Sequence, residues 1–265
     1  MVLVLQLARA RGADPAAEEL LGKVLDAQRN RGAVIRAKLV VTDTATEERR
    51  AVQLRLKVRC DDDCTRRLYQ VLWPRQRQGQ ALCLERTREG SVTGFLFEPP
   101  DQVTPLTPEM LGRPYLDSDL SLEDLAEGFW HWPSPSISGE ETVKGEPCKI
   151  IDLRPPAGSK TSYSLVRAWV SPRQAVPLRL EKFGGDGTLA KRVLVEKVVL
   201  HDKNWVPVTA VVQTPGRKQE TTLEISSGYR DIEIPLEEFS LAAIRKSAQS
   251  LIQETQTSGR TGELK

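Results

Sequence analysis

The sequence predicts a mainly antiparallel β fold with a few helices, on three observations. Strict alternation of apolar and polar residues runs through AVQLRLKVR, where Val52, Leu54, Leu56 and Val58 share one face and Gln53, Arg55, Lys57 and Arg59 share the other. A period of two marks a strand with one dry and one wet face. Short apolar runs then recur along the chain with turn residues between them, as in an antiparallel meander. Helical periodicity is confined to three places: near the start, near the end, and in a proline-rich break in the middle.

Taken in order, Ala16–Asn30 reads as a helix. Leu20, Leu21, Val24 and Leu25 fall on one face, Asp14 can cap it and Pro15 suits the first helical position. Strands follow around Ile35–Val41, Val52–Val58, Arg67–Trp73, Gln80–Arg86 and Val92–Glu98. Pro99–Pro135 interrupts the pattern. It is rich in proline and contains SDLSLEDLAEGF, in which Ser118 or Ser121 can cap a short helix with Glu123 and Asp124 at its positive end. Strands resume with a hairpin turning at Lys144-Gly145-Glu146. They continue through SYSLVRAWVSP and VPLRLEKF, a GGDG turn at Gly184–Gly187, LAKRVLVEKVVL, WVPVTAVVQT and ETTLEISSGY. A last helix is expected over about Pro235–Gln253, with Leu241, Ile244, Ala248 and Leu251 on one face. Residues 255–265 read as a flexible tail and 14–254 as one domain. Residues 1–13 read either as the remnant of a secretory signal, from the apolar run Val2–Leu7 and the small residues Ala8, Ala10 and Ala13, or as a strand or frayed helix.

Composition narrows the function. Lys and Arg total 38 against 36 Asp and Glu, so the net charge of +2 gives no basic excess for nucleic acid. A hydrophobic fraction of 39% with 28% charged residues suits a folded globular chain. Cys60 and Cys64 flank Asp61-Asp62-Asp63 in a tight turn, where a disulfide or free thiols come before a metal site, because the spacing matches no standard zinc motif. His131 and His201 are the only histidines, and no nucleophile elbow, P-loop or dinucleotide fingerprint is present. The adjacent acidic pairs do not face each other across a bond as glycosidase carboxylates must. No catalytic residue, cofactor or metal is expected. The aromatic cluster Phe129–Pro133 reads either as a cavity mouth or as a loop pinned to the core by buried rings.

The ordered motifs resemble the outer-membrane lipoprotein-sorting family, the LolA-like group. GRPYLDSDLSLEDL is similar to that group's G-x-x-x-x-x-S-D-x-S-x-E-D-L insert. GEPCKIIDLRP with the Tyr163–Val170 strand, VPLRLEKFGGDGTLAKRVLVEKV, WVPVTAVV and Phe239 before Leu241 match successive later units. The likeness runs from about Ala16 to Ala243. It implies a curved, incompletely closed half-barrel whose helices cover the concave side and leave an apolar cavity. It implies a periplasmic carrier, exported to the cell envelope, that takes lipoprotein acyl chains or lipid toward the outer membrane. Its partners would be an inner-membrane exporter or an outer-membrane acceptor, with transient membrane contact. The alternative is an envelope-stress sensor on the same half-barrel with a transmembrane signalling partner. Strand parity offers Leu54, Leu56, Phe95, Phe97, Leu165, Trp169, Leu178 and Leu180 as groove-lining residues, with Trp130 and Trp132 from the insert. Parity gives the shared face without saying which side of the sheet it is. The segment from Gly112 to Pro133 is expected to cover one end of the groove and to move when ligand enters.

Overall fold

The computed structural model describes residues 14–28, 31–88, 90–201 and 203–261. The signal-like segment 1–13 therefore lies outside the described residues. Helix α1 (Pro15–Gln28) opens the fold. Asp14 caps it, its Oδ1 accepting from the N–H groups of Ala16 (3.1 Å) and Ala17 (3.3 Å), as Pro15 at the first turn predicts. Six strands follow: β1 (Gly32–Asp43), β2 (Arg49–Cys60), β3 (Cys64–Trp73), β4 (Ala81–Thr87), β5 (Val92–Glu98) and β6 (Gln102–Pro105). After the insert with its short helix α2 (Leu122–Ala126) come β7 (Ser136–Val143), β8 (Glu146–Leu153), β9 (Leu165–Ser171), β10 (Val176–Phe183), β11 (Leu189–His201), β12 (Asn204–Gln213) and β13 (Gln219–Arg230). Helix α3 (Leu241–Thr261) closes the chain.

All thirteen strands form one antiparallel sheet in the order β6-β5-β4-β3-β2-β1-β13-β12-β11-β10-β9-β8-β7. Each half of the chain is a meander, and the pairing of β1 with β13 joins the halves. The two free edges are β6 and β7, so the insert that connects them in sequence must cross from one edge of the sheet to the other. Its hydrogen bonds reveal the curvature. The Tyr69 hydroxyl on β3 donates to the Leu125 carbonyl at 3.1 Å, and the Lys182 ammonium on β10 donates to Asp124 Oδ1 at 2.6 Å. Strands β3 and β10 stand six steps apart, about 29 Å in a flat sheet. Two adjacent residues of α2 reach both, so the sheet is curled around the insert, and the face carrying Tyr69 and Lys182 is concave.

Alternation separates the layers. On the concave face Leu39, Val52, Leu54, Tyr69, Val71, Leu82 and Leu84 pack against Met110, Tyr115, Leu122 and Leu125 of the insert. Leu20, Leu21 and Val24 of α1 pack with Phe129 and Trp130 on Ile151, Leu153, Val166, Ala168 and Val170. On the convex face Leu68, Ala81, Cys83 and Phe97 meet Phe239, Ile244 and Ala248. Helices α1 and α2 thus lie on the concave side as expected, whereas α3 covers the convex side. Strands β3 and β4 are consequently dry on both faces over Leu68–Val71 and Ala81–Leu84. Val193–Val195 and Val198–Leu200 are also continuous apolar runs, yet of these six residues only Val195 is buried.

Several boundaries differ from expectation. The last helix is broken at Ser240, whose Oγ accepts from the Ala243 N–H at 3.2 Å and starts α3 afresh after a 3-10 turn at Leu236–Phe239. It continues to Thr261, so residues 255–261 are helical and not a loose tail. Thr255 anchors this stretch, accepting from Gln78 Nε2 at 2.8 Å and donating to the Leu251 carbonyl at 3.1 Å. The four cysteines are free. In the β2–β3 hairpin Cys60 pairs with Thr65, the neighbour of Cys64, so the two thiols leave opposite faces and cannot bridge without backbone movement.

Candidate functional site: the concave face

The concave face is closed at one end and open at the other. The closed end is built around Asp124, which is buried. The Ser121 hydroxyl caps α2 by accepting from the Asp124 N–H at 3.2 Å. In return Asp124 Oδ2 accepts from the Ser121 N–H (2.7 Å) and hydroxyl (2.8 Å), a complete capping box. Asp124 Oδ1 also accepts from the Tyr163 hydroxyl (2.8 Å) and from Lys182 (2.6 Å), and Oδ2 accepts from Lys191. Burial pushes the Asp124 carboxyl up, but the Lys182 and Lys191 cations outweigh it and hold it well below the ordinary carboxylate range. Burial pushes the Lys191 ammonium down, against the pull of Asp124. Burial and the adjacent Asp124 charge push the Tyr163 hydroxyl far up, so it serves as a donor.

The rest of the insert is held as firmly. The Asp119 N–H donates to Thr221 Oγ1 at 2.8 Å on β13, and that hydroxyl donates back to Asp119 Oδ2 at 2.8 Å. Arg67 donates to the Ala126 carbonyl (3.1 Å) and to Glu127 (3.0 Å). Glu123 accepts from Thr161 and from the Ser162 N–H. Trp130 is buried, and Phe129 packs on it with ring centroids 4.8 Å apart. Serines, carboxylates and lysines of the quoted motifs are therefore what fastens the insert across the half-barrel: Ser121, Glu123 and Asp124 from the insert, Lys182 and Lys191 from the strand–turn–strand unit. The segment expected to move is tied to both arms of the sheet.

The open end lies where β1 and β13 meet α1. Ile35 pairs with Leu56, Ala37 with Leu54 and Ile225, and Ala33 with Val58, all on the concave face. Of these, Ile35, Ala37, Leu56, Val58 and Ile225 are half-buried, a strip of aliphatic surface left partly open among the described residues. The sheet itself splits there. Strands β12 and β13 pair only from Thr209↔Glu224 to Gln213↔Glu220. Beyond that point β12 pairs only with β11, and β13 only with β1. Pro207 lacks an N–H to offer along this stretch of β12. Two bulges between β11 and β12 bend that hairpin away. Leu200, 59% exposed, and Tyr229, 72% exposed, stand on the two arms of the fork.

The ten expected lining residues do not form one groove. Leu54, Leu56 and Leu180 are on the concave face, Leu54 packed in the core and the other two at its margin. Trp130 and Trp132 lie in the concave layer around α1, Trp132 half-buried. Phe95 and Phe97 are on the convex face against Phe239 and Ile244. Trp169 and Leu178 belong to a separate cluster with Val143, Cys148 and Val176, where Arg179 stacks 3.6 Å from the Trp169 ring centroid. Leu165 pairs with Phe183, half-buried and outside those clusters. Parity gave a shared face within a strand without a side: β3–β5 carry apolar residues on both sides, and the irregularity between Pro177 and Arg179 separates Leu178 from Leu180. Ile35, Ala37, Val58 and Ile225 were missed. Their signal was the alternation of Ile35, Ala37 and Leu39 in register with Val52–Val58. On the convex face Cys83, Phe95, Leu236 and Phe239 line a cleft of about 570 Å³ with the Arg66–Glu85 ion pair. Among the described residues no group of three or more His, Cys, Asp or Glu could hold a metal ion, and no helix is long and apolar enough to cross a membrane.

An open antiparallel sheet curled around a crossing insert, with an aliphatic concave floor, is the LolA-like half-barrel. A family model described as "Uncharacterized protein" matches residues 62–246, and the chain belongs to that family. No curated protein matches the sequence. A DUF1329 family protein from Desulfovibrio piger superposes with a TM-score of 0.80 at 18% identity, over 87% of this chain and 98% of that one. An outer membrane lipoprotein-sorting protein domain from Vibrio parahaemolyticus gives 0.77 at 18% identity, over 86% and 99%. A LolA superfamily protein from Nitrosomonas europaea gives 0.70 at 15% identity, over 86% and 98%. These likenesses establish the fold.

Proposed function

We propose that the protein is a non-catalytic carrier of the bacterial periplasm that shields an acyl chain of a lipoprotein or lipid on its concave face and delivers it toward the outer membrane. The reading rests on the half-open strip Ile35, Ala37, Leu56, Val58 and Ile225, placed beside a fork that exposes Leu200 and Tyr229. An acyl chain laid there gains about 0.8 kcal/mol for each methylene taken out of water, enough for useful affinity without a dedicated polar group. The lipoprotein-sorting description of the Vibrio parahaemolyticus neighbour supports the same assignment. An inner-membrane exporter and an outer-membrane acceptor are the partners such a carrier requires.

In this reading the chain enters at the fork end while the insert stays in place. Lys182 and Lys191 would be left buried and unpaired if α2 lifted away. Titration with a fluorescent acyl probe tests the site. Ile225→Asp should abolish probe binding with the far-ultraviolet circular dichroism spectrum retained, and binding that survives the substitution would move the site elsewhere.

A further inference from the structure

Arg86 ends β4 on the concave face, two residues beyond Leu84 and across from Thr65 and Val92. It is only 6% exposed. Its Nε is fully buried without a hydrogen-bond partner, and among the described residues its guanidinium makes no hydrogen bond or ion pair. The carboxylates nearby are already engaged: Glu127 holds Arg67 at 3.0 Å, and Glu85, which points to the other face, holds Arg66 at 2.7 Å. The 3-10 turn Gly128–His131 roofs the side chain, close enough that a Cβ at Gly128 would sit 3.8 Å from Arg86 Cδ. Arginine cannot shed its proton inside a protein, and a buried cation with no anion is strongly disfavoured. Among the described residues the Arg86 guanidinium has no anion bonded to it.

We propose that Arg86, with Arg67 beside it, binds the phosphoryl group of an anionic ligand at the mouth of the concave face. Arg67 stands across from Val58, two residue pairs along from Leu56–Tyr69 and so the next pair on the same face, which brings the aliphatic strip up to the two guanidinium groups. A ligand with an alkyl chain along Leu56, Ile35 and Ile225 would bring its phosphate to Arg86, whose planar fork matches two phosphate oxygens. This assignment deepens the acyl-carrier reading and depends on it for the chain, while the anion site itself stands on Arg86. His131 supplies an internal reporter. His131 is exposed at the end of the 3-10 turn, and its imidazole pKa is lowered by partial desolvation and then by Arg86 and Arg67, so a phosphate bound to those guanidinium groups would raise it.

Calorimetric titration of the intact protein with decyl phosphate, decanol and inorganic phosphate, together with the proton NMR titration of His131, tests the proposal. Decyl phosphate should bind about tenfold or more tighter than decanol, as charge-assisted bonds to a guanidinium allow. Arg86→Met should erase that preference, and Arg86→Lys should restore part of it. Because the methionine variant removes an unpaired buried charge, it should melt no lower than the parent without anion and lose the stabilisation that phosphate gives the parent. Inorganic phosphate alone should raise the His131 titration in the parent and not in Arg86→Met, which identifies the oxyanion and not the chain as what Arg86 reads. If decanol fails to bind but phosphate still moves His131, the acyl reading falls and the anion site stands. An unchanged preference for decyl phosphate in Arg86→Met, or a His131 titration indifferent to phosphate in the parent, overturns the proposal.

Discussion

Replacing Asp124 by asparagine keeps the size of the side chain and removes the one negative charge shared by Lys182 and Lys191. Both ammonium groups would stay buried, with side-chain exposures of 3% and 9%, and lose the carboxylate that bonds them both. Breaking a buried ion pair from one side costs about 3–5 kcal/mol. Asparagine can still accept one cap bond from Ser121, so the loss should sit near the middle, about 4 kcal/mol. A domain of this size has about 5–15 kcal/mol in all and moves by about 2–4 °C in Tm per kcal/mol, which gives a drop of about 8–16 °C. The pH dependence carries a sign. The folded carboxyl titrates below its unfolded value, so its stabilisation is complete above the ordinary carboxylate range and disappears as pH falls through the depressed folded value. Urea melts of Asp124→Asn and the parent should therefore differ by a constant amount between about pH 5 and 8, begin to approach each other below about pH 4, and meet only as pH nears the depressed folded value. A difference under about 1 kcal/mol at pH 7, or one that grows in acid, would refute the idea that Asp124 fastens the insert across the half-barrel.

Other consequences are open to measurement. Cys60 and Cys64 should both label with a thiol reagent in the native protein and give a non-reduced mass with no disulfide between them, while Cys83, whose thiol burial pushes up to about 11, should resist labelling below that pH until the protein unfolds. Gly94→Ala should destabilise by more than about 2 kcal/mol in denaturant melts, because φ is +153° there and a Cβ would lie 2.0 Å from the Cys83 carbonyl oxygen; a parent-like midpoint would contradict it. Native hydrogen exchange should find Leu122–Ala126 as protected as the central strands, with faster exchange in β12 204–208 beside the fork; a fast-exchanging α2 would bring back the mobile-lid expectation.

Much of the fold was legible because local signals were strong. Asp14-Pro15 marks the start of α1, the alternation Val52–Val58 fixes β2, and the GGDG turn sets the β10–β11 hairpin. Strand β6 escaped notice because Gln102–Pro105 is short and ends in proline. The concave face was harder to see. Alternation assigns Leu54 and Leu56 to one side, and Phe95 and Phe97 to one side, without saying that the sides differ; only the placement of α3 against Phe97 and of the insert against Leu54 decides it. The Asp124 network is invisible in sequence for another reason. Its lysines lie 58 and 67 residues further along the chain, brought to one carboxylate only when the sheet curls.

The central claim is that the concave strip holds an acyl chain, and native mass spectrometry of the protein purified from a bacterial envelope tests it most directly. Bound lipid or acyl mass should accompany the parent protein and be missing from Ile225→Asp purified in the same way. A parent protein that carries no lipid, and that fails to take up a fluorescent acyl probe added afterwards, would contradict the account.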